Sequence, residues 1–165
     1  MTTAFISLGS NMGDSENILQ RAMERLAGFS TQPLLKSSLW QTTPVNCPPG
    51  SPPFVNAVAG LTPRWNETPE SFLAKMQQLE KEFGRKSKTV LNEPRRLDLD
   101  LICFGSETRT SSQLTLPHPR ACERRFVLAP LAEIAPDLVL PGQTRTIAQL
   151  LAQLKSPEHV FRLAT

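Results

Sequence analysis

The chain lacks three features that would assign it to well-defined classes of protein. It has no run of roughly 18 apolar residues, so we expect no membrane-spanning helix. Its three cysteines, Cys47, Cys103 and Cys122, show no paired spacing, which favours reduced thiols over a disulfide framework or a zinc site. The N-terminal stretch MTTAFISLGSN has no basic lead, and its apolar part is too short for a secretory signal. Together these absences predict a cytoplasmic protein that makes no membrane contact.

The sequence also lacks the glycine-rich loops that commonly cradle nucleotides. Neither G-x-x-x-x-G-K-[S/T] nor G-x-G-x-x-G occurs in it. A nucleotide bound to this chain would therefore be held by side chains and metal ions, because no glycine loop offers its backbone amides.

The charged residues are unevenly distributed along a chain of otherwise ordinary composition. The 165 residues, 39% of them apolar, suit one domain spanning 1–165. The net charge is +3, but the segment from Gly84 to Arg125 holds nine basic and five acidic residues. Local positive charge attracts phosphate-bearing partners, either nucleic acid or nucleotide. A solvated basic face is an equally good explanation of the charge alone.

The order of predicted elements indicates the fold class. Strands are predicted from residue 3 to a break at the turn residues Gly9-Ser10-Asn11, and at 34–42, 54–62 and 95–105; helices are predicted at 15–26 and 69–83. The second helix has a strong start at Thr68-Pro69-Glu70 and ends at Gly84. A short apolar helix within 116–136 and a last helix at 146–155 follow. The order predicts an α/β (α+β) protein with a ferredoxin-like βαββαβ core, a mainly antiparallel sheet and additional C-terminal elements.

Two aspartates lie one residue apart in the fourth predicted strand. Alternation places Asp98 and Asp100 on one face, about 6 to 7 Å apart, and Leu97, Leu99 and Leu101 on the other. Like charges at that distance repel, so a positive group is expected between or over them: either the nearby arginines or metal ions. Carboxylates suit Mg²⁺, which takes much of its remaining shell from water and phosphates. Taken alone, the pair is equally consistent with an exposed, ion-paired strand face.

Four segments occur in an order and spacing typical of one enzyme family. They are SLGSNMGD at 7–14, FVNAV at 54–58, PRRLDLDLICFG at 94–105 and LPHPRACERRFVLAPLAEIAP at 116–136. In these segments the chain resembles 6-hydroxymethyl-7,8-dihydropterin pyrophosphokinase of folate biosynthesis. The resemblance implies a Mg²⁺-dependent transferase with two ions, ATP as co-substrate and release of AMP. Its other substrate would be 6-hydroxymethyl-7,8-dihydropterin.

The resemblance also implies roles for individual residues. It makes Asp98 and Asp100 the metal ligands, and it assigns catalytic roles to these two residues and to Arg85, Arg95 and His118. The implied ATP contacts are Gln77, Arg85, Arg95, Leu101, His118 and Arg124, with Glu80 on the same helix as Gln77. The implied pterin pocket consists of Thr42, Thr43, Pro44, Val45, Phe54, Asn56, Asp98 and Phe126. The residue types agree, since two phenylalanines can stack on a flat ring and an amide can bond its polar edge.

Two alternatives remain open at the level of sequence. Many family members carry further arginines and a tryptophan before the aspartate strand, where this chain has Ser87, Leu91 and Asn92. The chain is therefore either an active enzyme or a weakened member that serves as a partner module. A small RNA-binding ferredoxin-like domain is the other alternative, but two aspartates on the sheet would repel phosphates without metal. We expect small-molecule partners only, no nucleic acid, and a monomer, with a homodimer as the alternative.

Overall fold

The computed structural model describes residues 2–11, 14–43, 53–84 and 97–163. In chain order the elements are β1 (Ala4–Ser10), α1 (Ser15–Ala27), β2 (Leu35–Lys36), β3 (Trp40–Thr43), β4 (Phe54–Leu61), α2 (Pro69–Glu82), β5 (Asp98–Phe104), β6 (Arg109–Thr110), β7 (Thr115–Leu116), a short 3₁₀ turn (Ala121–Glu123), α3 (Arg125–Ile134), α4 (Ile147–Gln153) and β8 (His159–Arg162). Within these ranges, no helix is both long enough and apolar enough to cross a membrane.

Helix α2 begins and ends where the sequence predicts. The Thr68 hydroxyl accepts the Ser71 backbone N–H, and the Ser71 hydroxyl accepts the Thr68 backbone N–H, both at 3.0 Å. This reciprocal cap satisfies two of the amides that a helix start leaves unpaired. Beyond the C-terminal end, Gly84 has a φ of 101°, a conformation that glycine adopts without steric cost.

Six strands form one antiparallel sheet, which confirms the mainly antiparallel architecture. The strand order is β5-β1-β4-β3-β8, and the short β2 pairs with β4 alongside β3. The single strand predicted over 34–42 is divided into β2 and β3. Between them, the Ser37 hydroxyl accepts the Val58 N–H at 2.9 Å, so a side chain replaces a backbone carbonyl in the ladder.

The sheet has a hydrophobic core on each face. Helices α1 and α2 cover one face, where Ile6, Leu8 and Phe72 are fully buried. The later helices α3 and α4 pack on the opposite face against residues such as Val58 and Ile102. The alternation of side chains along β1, β4 and β5 therefore decides which polar groups face α1 and α2 and which face α3.

Three short strands are absent from the sequence prediction. The hairpin of β6 and β7 pairs Arg109 with Leu116 and Thr110 with Thr115. At the sheet edge, β8 pairs residues 159–162 with β3, more than 100 positions earlier in the chain. Strands of two to four residues carry too little alternation to be recognised, and their pairing depends on partners distant in sequence.

Candidate active site

The two aspartates of β5 share one face of the sheet at its outer strand. Asp98 lies opposite Gly9 and Asp100 opposite Ser7 in β1, and both carboxylates are half-buried. Leu99 projects to the other face, into the core below α2. The two carboxylates thus project on the α3 side of the sheet, while the leucine between them contributes to the hydrophobic core.

The buried carboxylate of Glu80 in α2 is hydrogen-bonded to the outer edge of β5. Its Oε2 accepts the backbone N–H of Leu99, between the two aspartates, at 2.9 Å, and the residue is only 4% exposed. An edge strand needs a partner for each outward-facing amide when it is buried. Glu80 supplies that partner and so fixes the backbone that carries both aspartates.

A glycine separates the aspartates from a buried amide on the same face. In the register, Gly9 lies directly between Asp98 on β5 and Asn56 on β4. A Cβ added at Gly9 would lie 3.1 Å from Asn56 Nδ2. Because Gly9 has no side chain, β1 places no side chain between Asp98 and Asn56 on this face.

The amide of Asn56 has a fixed orientation. Asn56 is 5% exposed, and its Oδ1 accepts the Thr42 hydroxyl at 2.8 Å. Thr42 belongs to β3, the next strand of the sheet. With the oxygen bonded to Thr42, the other group of the amide, Asn56 Nδ2, is directed towards Gly9.

The two phenylalanines predicted to stack on a ligand lie at the start of β4 and in the first turn of α3. Phe54 is 43% exposed. Phe126 is half-buried, and the Arg124 guanidinium lies 5.5 Å from the centre of its ring. Both aromatic side chains are thus only partly covered by protein and accessible to a ligand.

The imidazole of His118 is held in one tautomer near the aspartates. Its backbone N–H bonds the Ile102 carbonyl at 2.8 Å, at a bulge in the pairing of β5 with β1. Its Nδ1 accepts the Arg120 backbone N–H at 3.2 Å, which leaves the proton of the neutral ring on Nε2. Partial burial lowers the pKa of His118 below its ordinary value of 6.5; Asp100 raises it, and Arg124 lowers it. His118 therefore lies within electrostatic reach of Asp100 and Arg124.

Of the other predicted site residues, three lie in the described part of the chain and four lie outside it. Gln77 is exposed on α2, whereas the Leu101 side chain is buried in the core on the α1–α2 face, away from the aspartates. Thr43 contributes backbone to the end of β3. The predictions for Pro44, Val45, Arg85 and Arg95 lie outside the described residues.

The titration of His118 tests this electrostatic arrangement in the metal-free protein. We expect an NMR pKa below 6.5 in EDTA, a further decrease in Asp100→Asn and an increase in Arg124→Ala. The chain has two histidines, so His159→Gln identifies the His118 signals. Because the folded-state pKa is lowered, the contribution of His118 to the free energy of unfolding is present above about pH 6.5 and is lost as the pH falls from there through the folded-state pKa. A pKa at or above 6.5 would contradict this description of the site.

The donor set is compatible with Mg²⁺. Across the described ranges, no group of three or more His, Cys, Asp or Glu side chains could hold a metal. Mg²⁺ does not require such a group, since it keeps several waters and binds through one or two carboxylates and substrate phosphates. Asp98 and Asp100 meet that requirement, whereas a structural zinc or calcium site would need more protein ligands.

One face of the antiparallel sheet carries two carboxylates and a buried amide. A histidine, an arginine and partly exposed aromatic side chains lie on the same side. This combination is typical of the class of small-molecule sites that bind a phosphate-bearing ligand next to a flat organic one. A family profile described as 7,8-dihydro-6-hydroxymethylpterin-pyrophosphokinase (HPPK) matches residues 5–136. The chain belongs to this family, which confirms the resemblance seen in its sequence.

Individual relatives agree with the family match. A Haemophilus influenzae 2-amino-4-hydroxy-6-hydroxymethyldihydropteridine pyrophosphokinase is 37% identical over 154 residues, 93% of each chain. The Pneumocystis carinii folic acid synthesis protein fol1 is 36% identical over 91% of this chain, which spans only 20% of that protein. A Plasmodium falciparum HPPK-DHPS crystal structure superposes on 93% of this chain with a TM-score of 0.71 at 13% identity. This chain covers 42% of that fused protein, and the superposition shows a shared fold.

Proposed function

We propose that this chain transfers pyrophosphate from ATP to 6-hydroxymethyl-7,8-dihydropterin, with release of AMP, as a step of folate biosynthesis. Membership of the HPPK family supports this activity. The observation that carries the proposal for these residues is the register at Gly9. It places Asn56 and Asp98 on the two strands that flank Gly9, on the same face of the sheet.

In the proposed reaction, the hydroxymethyl oxygen of the pterin attacks the β-phosphorus of ATP. The bond from that phosphorus to the α,β-bridging oxygen breaks, AMP departs, and the hydroxyl proton passes to solvent. No side chain of the described site is an obvious general base, so rate enhancement is expected from alignment and charge stabilisation. His118 would donate from Nε2 to a phosphate oxygen, while Arg124 and, by the family resemblance, Arg85 and Arg95 would stabilise negative charge.

Magnesium dependence is part of this proposal. Asp98 and Asp100 would hold two Mg²⁺ ions, and bound Mg²⁺ would neutralise charge on the phosphate oxygens. Asp98 and Asp100 lie on the same face as Asn56, so phosphates held at the aspartates would lie beside a pterin held at the amide.

The pterin pocket is proposed to combine stacking with hydrogen bonds at the ring edge. Phe54 and Phe126 would contact the ring faces. Asn56 Nδ2 would donate to an acceptor atom of the pterin, since Thr42 occupies the amide oxygen. Thr43, Pro44 and Val45 complete the pocket by the family resemblance.

The remaining proposals concern the finer fold, the assembly and the location. If β2 and β3 are counted together as the second strand, β4 is the third and β5 the fourth, and the order across the sheet is 4-1-3-2. With α1 after the first strand and α2 after the third, this order corresponds to a ferredoxin-like core. We propose a cytoplasmic enzyme that acts as a monomer, with a homodimer as the alternative. Sedimentation at micromolar concentration separates these two states.

The direct test measures AMP formation from ATP by the purified chain. We expect AMP only when both Mg²⁺ and 6-hydroxymethyl-7,8-dihydropterin are present, with one diphosphorylated pterin formed per AMP. Binding of both substrates without AMP release would support the partner-module alternative. Salt-dependent retention of RNA without binding of ATP would support the RNA-binding alternative.

A further inference from the structure

Glu133, near the C-terminal end of α3, joins three elements through one carboxylate. Its Oε1 accepts the Ser38 backbone N–H at 2.9 Å and the Trp40 indole N–H at 3.0 Å. Its Oε2 accepts the Ser38 hydroxyl at 2.6 Å and lies 3.7 Å from the Arg162 guanidinium of β8. Both the start of β3 and the edge strand β8 are therefore attached to α3 at this residue.

The protonation state of Glu133 suits this role. Partial burial raises the pKa of its carboxyl, but the hydrogen bonds from Ser38 and Trp40, with the charge of Arg162, lower it more. The net pKa lies below the ordinary value of 4.5, so the group is ionised at neutral pH and accepts all of these bonds.

The elements joined by Glu133 carry or contact residues of the proposed pterin pocket. Trp40 pairs directly with Asn56, and two positions later Thr42 donates the hydrogen bond that orients the Asn56 amide. The other partner, α3, carries Phe126 in its first turn. The carboxylate thus fixes the strand that orients the amide relative to the helix that supplies a stacking ring.

We propose that Glu133 is a positioning residue for the pterin pocket, which acts by setting the placement of β3 against α3. The inference rests on the proposed function, because it concerns the same pocket. It adds a residue that the site prediction did not contain. The salt bridge to Arg162 involves β8, which lies outside the residues matched by the family profile.

Another carboxylate provides a matched control. Glu70 in α2 accepts from Arg109 Nε at 2.7 Å and from Nη2 at 3.4 Å, and so joins α2 to the β6–β7 hairpin. Like Glu133, it connects separate elements through a charged contact, but neither element carries a pocket residue facing Asn56. Glu70→Ala should therefore show how much the kinetics change when a charged contact between two elements is lost away from the pocket.

The experiment compares steady-state kinetics of Glu133→Ala, Glu133→Gln and Glu70→Ala, together with pterin affinity by calorimetry. We expect Glu133→Ala to raise the KM and Kd for the pterin roughly 10-fold and to leave the KM for ATP within about 2-fold. Glutamine should restore the pterin affinity, since its Oε1 can accept both N–H groups and its amide nitrogen can donate to the Ser38 hydroxyl. Glu70→Ala should leave the pterin KM unchanged.

Two results would overturn the inference: an unchanged pterin KM in folded Glu133→Ala, or an equal rise in the KM for both substrates. If Glu133→Ala does not fold, Trp40→Phe removes one donor and is expected to raise the pterin Kd in the same direction; an unchanged Kd would overturn it. Absence of AMP release by the wild-type chain would contradict the proposed function instead. In that case, the calorimetric pterin Kd values still decide the role of Glu133.

Discussion

Replacing Asp100 with asparagine should reduce AMP release about 10³-fold, equivalent to about 4 kcal/mol of transition-state stabilisation. Asparagine keeps the size of the side chain and its place opposite Ser7, but it removes the negative charge that is proposed to bind Mg²⁺. The loss should appear in kcat, with the pterin Kd in the absence of ATP within about 3-fold of wild type. Coupled detection of AMP and calorimetry with pterin alone measure the two quantities.

A carboxylate outside the site controls for the charge change. Glu107 bonds Arg109 at 3.1 Å on the β6–β7 hairpin, and Glu107→Gln makes the same chemical substitution there. Its activity should stay within about 2-fold of wild type, because an exposed ion pair contributes little. Folded Asp100→Asn with more than a tenth of the wild-type kcat would rule out an essential role for this carboxylate.

The parts of the fold that follow local rules were predictable from sequence. The start of α2 follows from Thr68-Pro69 and its end from Gly84, because caps depend on a few neighbouring residues. The alternation of Asp98 and Asp100 with the neighbouring leucines is likewise a local property of a strand. The last helix, predicted at 146–155, spans Ile147–Gln153 and begins after a reciprocal cap between Thr146 and Gln149.

The parts that depend on distant contacts were not predictable. The division of the second strand results from a hydroxyl of Ser37 that bonds Val58, 21 positions away. Similarly, β8 is defined by its pairing with β3, which lies more than 100 positions earlier in the chain. Glu133 lies within the family-like segment 116–136, but its contacts could not be predicted, since Ser38 and Trp40 lie more than 90 positions earlier in the chain.

The candidate site shows the same division between local and distant information. Resemblance to the family supplied Asp98, Asn56 and His118 as site residues. The register of three strands added Gly9, because only that pairing places it between Asp98 and Asn56. The tautomer of His118 and the direction of the Asn56 amide also required the structure, since each is set by one hydrogen bond.

Replacing Gly9 with valine should weaken pterin binding roughly 10²-fold and leave the fold intact. The Cβ of even an alanine would lie 3.1 Å from Asn56 Nδ2, and the amide cannot turn away without losing its bond to Thr42. The backbone of Gly9 is ordinary strand without positive φ, so a β-branched residue suits its conformation. Gly9→Ala should lie between wild type and valine in pterin Kd, and its free energy of unfolding should fall by about 1 kcal/mol, because the bond between Asn56 and Thr42 is disturbed.

Gly60→Ala is a control that distinguishes an effect on the space for a ligand from a steric clash in the hydrophobic core. A Cβ at Gly60 would lie 2.9 Å from the Phe5 ring in the core on the same sheet face. Gly60→Ala should therefore lower the melting temperature while the pterin Kd stays within about 3-fold, the reverse of the pattern expected for Gly9→Val. The two measurements decide why β1 carries a glycine opposite Asp98. Wild-type pterin affinity in Gly9→Val would mean that the ligand does not lie above Gly9, and the pocket would have to be placed elsewhere on the sheet.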